Sequence, residues 1–340
     1  MRLMQVMAGG PQGGAEAFFE RLAIALAAPD LEQLLAIRRD AGRAARLRAA
    51  GLQVSEHAFG GRLDLMTPWR LRRLAQRFQP DITLSWMNRG TRMAPTRPGV
   101  LVARLGGYYA LKYYRHCQHL IGNTQDIVDY LVRAGWPADK AHYLPNFVTA
   151  SDEPAESRAA HDTPADAPLL LALGRFHRNK GFDVLLAALA QVPDAILWLA
   201  GAGPEETKLR QQALSLGVDD RVRWLGWRQD VGPLYRACDV FVCPSRHEPL
   251  GNVVIEAWAH RAAIVAADAS GPASLLTDRE TGRLVPREDA AGLAEALTEA
   301  LAHPAEAAGM ADAGYQAFAA QFSEAVVVRQ YRDFFESVLR

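Results

Sequence analysis

Asp239-Val240-Phe241-Val242-Cys243-Pro244-Ser245 runs through Arg246 and His247 into Glu248-Pro249-Leu250-Gly251-Asn252-Val253-Val254-Ile255-Glu256-Ala257-Trp258-Ala259. The first part is a short apolar run stopped by proline, the pattern of a buried strand. The last part, from Val253, reads as the start of a helix. Glu248 therefore falls in a strand-to-helix loop, and Glu256, after seven intervening residues, about two turns into the helix. Gly251 lets the backbone approach a ligand closely. The free N–H groups of Leu250, Gly251, Asn252 and Val253 and the positive end of the helix form a ready anion site. Carboxylates accept hydrogen bonds from vicinal hydroxyls and a helix N-terminus holds phosphate; the combination suits a nucleotide-sugar.

A second stretch has the same form. Pro168-Leu169-Leu170-Leu171-Ala172-Leu173 reads as a parallel-sheet strand and Phe182 to Leu189 as a helix, with Gly174-Arg175-Phe176-His177-Arg178-Asn179-Lys180-Gly181 between them. Arg175 and Lys180 thus sit at the carboxyl end of a strand, where open α/β sheets bind ligands. Two cations there can neutralise a diphosphate, the arginine through a fork of donors. Glutamates on a helix and cations in a loop are each common on solvated surfaces. Two such loops, both following strands in one half of the chain, are much less so.

The chain has 340 residues, 49% apolar and 22% charged, ordinary for a soluble globular protein and long enough for two domains. It has no apolar run of about 18 residues, so no spanning helix is expected. Met1 to Gly10 reads as a first strand entering a Gly-rich loop, too short for a secretory leader. Cys117, Cys238 and Cys243 lack metal-ligand spacing and read as buried thiols, which fits a reducing cytoplasm. An acidic, proline-containing stretch with Asp152, Glu153, Glu156, Asp162 and Asp166 reads as a linker over 151–167. It separates halves of opposite charge: residues 1–150 carry 20 Lys+Arg against 11 Asp+Glu, net +9, and residues 151–340 carry 18 against 27, net −9. The basic residues cluster at Arg38, Arg39, Arg43, Arg46 and Arg48, and at Arg70, Arg72, Arg73 and Arg77 beside Trp69. Such a face suits an anionic membrane surface or a phosphorylated acceptor; a solvated Arg-rich helix face is the plain alternative. No nucleic-acid motif accompanies it, so nucleic acid is not an expected partner.

Strand and helix signals alternate through both halves, which argues for doubly wound parallel sheets. The last helix, roughly Glu324 to Leu339, carries Val327, Val328, Tyr331, Phe334, Phe335 and Val338 near helical period.

Gly174-Arg175…Lys180-Gly181 followed by Glu248-x7-Glu256 resembles the retaining family-4 glycosyltransferases. Gly13-Gly14-Ala15-Glu16, Leu144-Pro145-Asn146, Ala200-Gly201-Ala202-Gly203-Pro204, Val222 to Trp227 and Thr281 to Pro286 match the same family in order and spacing, over nearly the whole chain. The resemblance implies an α/β GT-B fold, two facing Rossmann-like domains with a cleft between them. The expected domains are 1–150 on the acceptor side and 168–322 for the nucleotide-sugar, with a helix over 323–340 crossing back to the N-terminal domain.

It also implies transfer of a sugar, with retention, from a nucleoside diphosphate donor to a hydroxyl of a glycolipid or polysaccharide, such as a lipopolysaccharide core. Arg175, Lys180 and the backbone near Gly251 would stabilise the leaving diphosphate. Glu256 would hold the ribose hydroxyls, Glu248 the donor sugar, and Gly13 and Gly14 would approach the diphosphate or acceptor. The base would lie near Gly226, Trp227 and Arg228; UDP is favoured over GDP. The nucleotide-sugar is a co-substrate, and no cofactor or metal is implied, in keeping with the lack of an Asp-x-Asp motif. The sequence departs from the family in two places. No histidine stands in Leu101 to Tyr109, where Arg104 or a backbone carbonyl is the expected substitute and Arg104, Tyr108 and Tyr109 are the expected acceptor contacts. Ser274 stands where relatives often have Glu. The competing readings are a non-catalytic nucleotide-sugar binding protein, which would bind donor without turnover, and a GT-B sugar-nucleotide epimerase or a phosphorylase.

Overall fold

The computed structural model describes residues 1–10, 13–61 and 63–340. The chain divides into two compact units, Met1–Phe147 with Glu324–Arg340, and Val148–Ser323. The first contains a parallel sheet of seven strands: β1 (Arg2–Met7), β2 (Glu32–Arg38), β3 (Gln53–His57), β4 (Ile82–Trp86), β5 (Val100–Leu105), β6 (His119–Gly122) and β7 (Ala141–Tyr143), in the order β3-β2-β1-β4-β5-β6-β7. The second contains six: β8 (Leu169–Leu173), β9 (Ile196–Ala200), β10 (Val222–Gly226), β11 (Val240–Cys243), β12 (Ala263–Ala267) and β13 (Arg283–Val285), in the order β10-β9-β8-β11-β12-β13. In each sheet the chain winds outward on one side of its first strand and then returns to the other. The order therefore reverses between β1 and β4, and between β8 and β11, and such reversals open a crevice at the strands' carboxyl ends.

The strands are apolar because both faces are covered. β8 is buried along its whole length, Leu169 to Leu173. In β1, Leu3 and Met7 join a core with Phe18, Leu22 and Trp86, while Met4 and Val6 join another with Phe59, Leu71 and Leu120, the two-residue alternation of a strand between two helical layers. The terminal helix Glu324–Ser337 belongs to the first unit, where Val327, Phe334 and Phe335 are buried in that unit's core. Each such side chain contributes roughly 1.5–3 kcal/mol by area.

Residues 151–167, expected as a linker, lie within the second unit and are pinned to it. Arg158 donates to the carbonyls of Ala237 (2.9 Å) and Ala167 (3.0 Å) and pairs with Asp239 (2.8 Å). Thr163 Oγ1 accepts from the buried Trp198 Nε1 at 2.9 Å. Composition marks the stretch as acidic and proline-rich. It does not show that its arginine finds the carbonyl end of a neighbouring helix.

Candidate functional site

The two loops singled out in the sequence follow β8 and β11, the strands that flank the order reversal of the second sheet. They form one layer. Arg246 N–H and His247 N–H of the second loop donate to Asn179 O of the first at 2.8 and 3.1 Å. Gly181, at φ +66°, is where the backbones meet: a Cβ there would stand 2.0 Å from Pro244 O. Only glycine tolerates both the left-handed conformation and that approach. Gly174, at φ +145°, lets the Lys180 stem lie across the loop, where a Cβ would come within 3.2 Å of Lys180 Cε.

This layer brings Lys180 and Glu248, 68 residues apart, into a part-buried ion pair between Nζ and Oε2. Arg175 is exposed and has no hydrogen bond or ion pair among the described residues, so its guanidinium is free for a ligand. The layer is braced by Arg246, which reading the sequence did not single out. It binds both Asp183 oxygens at 2.7 Å, Glu288 at 2.7 Å and Arg178 O at 2.9 Å. Burial alone would raise the Asp183 pKa, but the Arg246 fork outweighs it and holds the carboxyl below the usual carboxylate range. The partners are 63 residues apart, and no local pattern joins them.

The helix begins at Asn252, so Glu256 is its fifth residue, about one turn in rather than two. Its Oε2 accepts from Tyr235 Oη at 3.3 Å. Tyr235 is buried and stacked on His260 with a ring separation of 5.5 Å, and burial, then the Glu256 charge, raises its pKa well above that of free tyrosine. Tyr235 is thus a second residue that reading the sequence missed. It presents as an ordinary core aromatic. Gly271, after β12, closes the layer by donating its N–H to Glu248 O at 2.6 Å. The Leu250–Val253 backbone lies at the start of the helix Asn252–Ala259, whose N-cap Gly251 stands at φ +69°. Gly226 ends β10 and Trp227 is exposed. Arg228 is not free: it pairs with Glu156 at 3.0 Å.

In the first unit, Gly13 is the N-cap of the helix Gly14–Ala25. Glu16 folds back beneath that loop and accepts from Gly10 N–H at 2.8 Å; a Cβ on Gly13 would stand 2.2 Å from its carboxylate, whereas Gly14 has open space around it. Arg104, expected among the acceptor contacts, is turned into the core. It is 2% exposed, donates to Tyr331 Oη at 2.8 Å and to Asn146 Oδ1, and lies over the rings of Phe18 and Trp86 at 4.6 and 4.8 Å. The reason is its place on a central strand, where the side chain turns into the core under the terminal helix. Tyr108 remains exposed, donating to Asp126; that hydrogen bond, with some burial, pushes its pKa up to about 12. Tyr109 is half-buried, and burial followed by the Glu16 charge raises its pKa.

The family described as Glycosyl transferases group 1 matches residues 167–303, the span that holds both loops. Over the whole chain, the lipopolysaccharide core biosynthesis glycosyltransferase LpsE of Rhizobium meliloti is 36% identical across 325 residues, covering 95% of each protein. The chain belongs to the group 1 glycosyltransferases. LpsD of the same organism, also a lipopolysaccharide core biosynthesis glycosyltransferase, is 35% identical over 333 residues and 96% of each protein. The structure of Anabaena Alr3699/HepE in complex with UDP superposes with a TM-score of 0.84 at 21% identity, over 99% of this chain and 100% of that one. The glycosyltransferase therefore has the GT-B architecture expected from its sequence, two doubly wound parallel-sheet domains. In this glycosyltransferase the second unit brings together, among the described residues, an unpaired guanidinium at Arg175, a lysine paired with a carboxylate at Lys180 and Glu248, and a further carboxylate, Glu256, bonded by a tyrosine.

Proposed function

We propose that this enzyme transfers a sugar, with retention and without a metal ion, from a nucleoside-diphosphate-sugar to a hydroxyl of a glycolipid or polysaccharide, in building a lipopolysaccharide core. The observation that carries it is the joining of Lys180 and Glu248 beside the free Arg175, at the carboxyl ends of β8 and β11. Arg175 and Lys180 supply positive charge to the departing diphosphate. Glu248 and Glu256 accept from sugar and ribose hydroxyls. The UDP donor is favoured, in keeping with the nucleotide bound in HepE, and the core-biosynthesis role follows the names of LpsE and LpsD.

Calorimetry with UDP-, GDP- and ADP-sugars, first without metal and then with Mg²⁺, tests this. One nucleotide class should bind without metal. Glu256→Ala should weaken that binding by about 10-fold or more, because hydrogen bonds to a charged group are worth roughly 1.5–3 kcal/mol. Failure of folded protein to bind any of the three sugars, alone or with Mg²⁺, would overturn the donor assignment.

The proposal includes docking of the first unit on an anionic membrane face, from which a lipid-linked acceptor is taken. The helix Met66–Phe78 buries Leu71, Ala75 and Phe78 and exposes Arg70, Arg72, Arg73 and Arg77. Beside these cations stand Leu63, 95% exposed, Leu65 at 79%, Met66 at 55% and Trp69 at 52%. Apolar groups set next to arginines suit insertion among anionic headgroups. Asp64, the acid within this stretch, is occupied in binding Gly60 N–H and Thr67. Each basic residue contributes on the order of 1 kcal/mol at such a surface, so replacing the four arginines with glutamine should weaken binding to anionic vesicles by about 10²-fold or more. Changing Leu63, Leu65 and Trp69 to serine should weaken it further without altering donor binding. Vesicle flotation unchanged in both variants would refute the docking face.

A further inference from the structure

We propose that a pocket at the carboxyl ends of β1 and β2 binds an anionic group, phosphate or carboxylate, carried by the acceptor. The pocket has a volume of about 330 Å³ and is lined by Gly9, Gly10, Arg38, Arg39, Asp40 and Arg43. It lies wholly within the first unit, in a different sheet from the donor loops. The assignment to the acceptor rests on the function proposed above, in which the donor's diphosphate is met by Arg175 and Lys180.

The charges lining the pocket divide into two groups. Arg43 is 1% exposed and fully engaged: its Nε binds Glu20 at 2.8 Å, Nη1 lies 3.5 Å from Asp40, and Nη2 donates to Gly10 O at 3.0 Å. It is the brace that fixes the Gly9–Gly10 wall. Asp40 is engaged too, capping the helix Ala41–Ala49 by accepting from Arg43 N–H at 3.0 Å. Glu20 is shared with Arg46, Glu56 binds Arg48, and Glu16 is buried against the Gly10 N–H. Arg38 and Arg39 remain. Both are exposed, and neither side chain has a hydrogen bond or ion pair among the described residues.

Two adjacent guanidiniums without a carboxylate, on the rim of a concave pocket built by a fixed glycine wall, match an oxyanion that accepts paired N–H bonds. The carboxyl edge of a parallel sheet, next to its order reversal, is where such folds take ligands. His57, at the end of neighbouring β3, experiences the same excess of cations: burial first, then the charges of Arg70 and Arg39, lowers its pKa. The two arginines supply ten N–H donors between them.

The test has two arms. In the first, inorganic phosphate and, separately, acetate are titrated into the full-length protein with its donor site filled by nucleoside diphosphate, and backbone amide resonances are followed. Shifts at Gly9, Gly10 and Arg38 to Asp40 that exceed those from chloride at equal ionic strength, and that vanish in Arg38→Gln/Arg39→Gln, are the expected result. Absence of such shifts, or their persistence in the double variant, would overturn the pocket. The variant should fold and bind nucleoside diphosphate as wild type does, since both side chains are exposed and unpaired.

In the second arm, transfer to extracted core glycolipid is measured. The double variant should raise the acceptor KM by about 10-fold to 100-fold, leaving donor KM unchanged. Removing the acceptor's phosphates with aqueous hydrogen fluoride should abolish the difference if phosphate is the ligand; reducing its carboxyls should do so if carboxylate is. A difference that survives both treatments would overturn the acceptor assignment. Wild-type protein that shows the amide shifts but no transfer would refute the proposed function while leaving the pocket in place.

Discussion

Arg175→Ala should lower kcat by about 10²-fold or more and leave the folded protein as stable as wild type. The guanidinium is exposed and unpaired among the described residues, so its removal orphans no partner and opens no cavity. Its loss is felt only when negative charge develops on the leaving diphosphate, an interaction stronger in the transition state than in the ground state. Arg175→Lys should recover part of the rate, since a point charge remains but the fork of donors does not. Lys180→Ala provides the contrast. It should also lower turnover, but it leaves Glu248 part-buried without its cation, so the melting temperature should fall as well. Steady-state kinetics paired with thermal unfolding separate the two. A variant at Arg175 with normal kcat would remove that residue from the site.

Arg104→Met should destabilise the first unit by about 2–4 kcal/mol, because the buried acceptors Tyr331 Oη and Asn146 Oδ1 lose this donor at roughly 1–3 kcal/mol each. Its guanidinium holds Tyr331 on the terminal helix and Asn146 just after the seventh strand, and it packs on Phe18 and Trp86. Methionine fills part of the volume but leaves the Tyr331 hydroxyl without the donor that it accepts from. Tyr331→Phe, which keeps the ring but takes the acceptor from the buried Arg104 Nε, should cost about 1–3 kcal/mol. Chemical unfolding read at several wavelengths checks this, because two units need not unfold together. An acceptor-binding arginine would instead change the acceptor KM with no loss of stability.

The contrast between Arg175 and Arg104 shows how far the chain could be read in one dimension. Both were singled out in the sequence, each at the end of an apolar run. The strands themselves were legible because alternation and continuous apolar runs are local properties: Ile82–Trp86 and Leu169–Leu173 form where they were expected. So was the terminal helix, whose apolar residues recur near helical period. The two loops after β8 and β11 were legible as strand-to-helix loops because glycine, arginine, lysine and glutamate were placed by strand and helix signals on either side of them.

What the sequence by itself determined, then, is the order of strands and helices, the two strand-to-helix loops at the order reversal of the second sheet, and the opposite charges of the two halves. Only the tertiary structure decided which charges are free. Lys180 meets Glu248, Arg246 meets Asp183, and Arg228 meets Glu156, while the side chains of Arg175, Arg38 and Arg39 have no hydrogen bond or ion pair among the described residues. Arg104 turned inward because its partner Tyr331 arrives from 227 residues away. Periodicity is set by neighbours a few positions apart, whereas the state of a charge is set by whatever the fold brings within about 4 Å of it, and that distance has no counterpart along the chain.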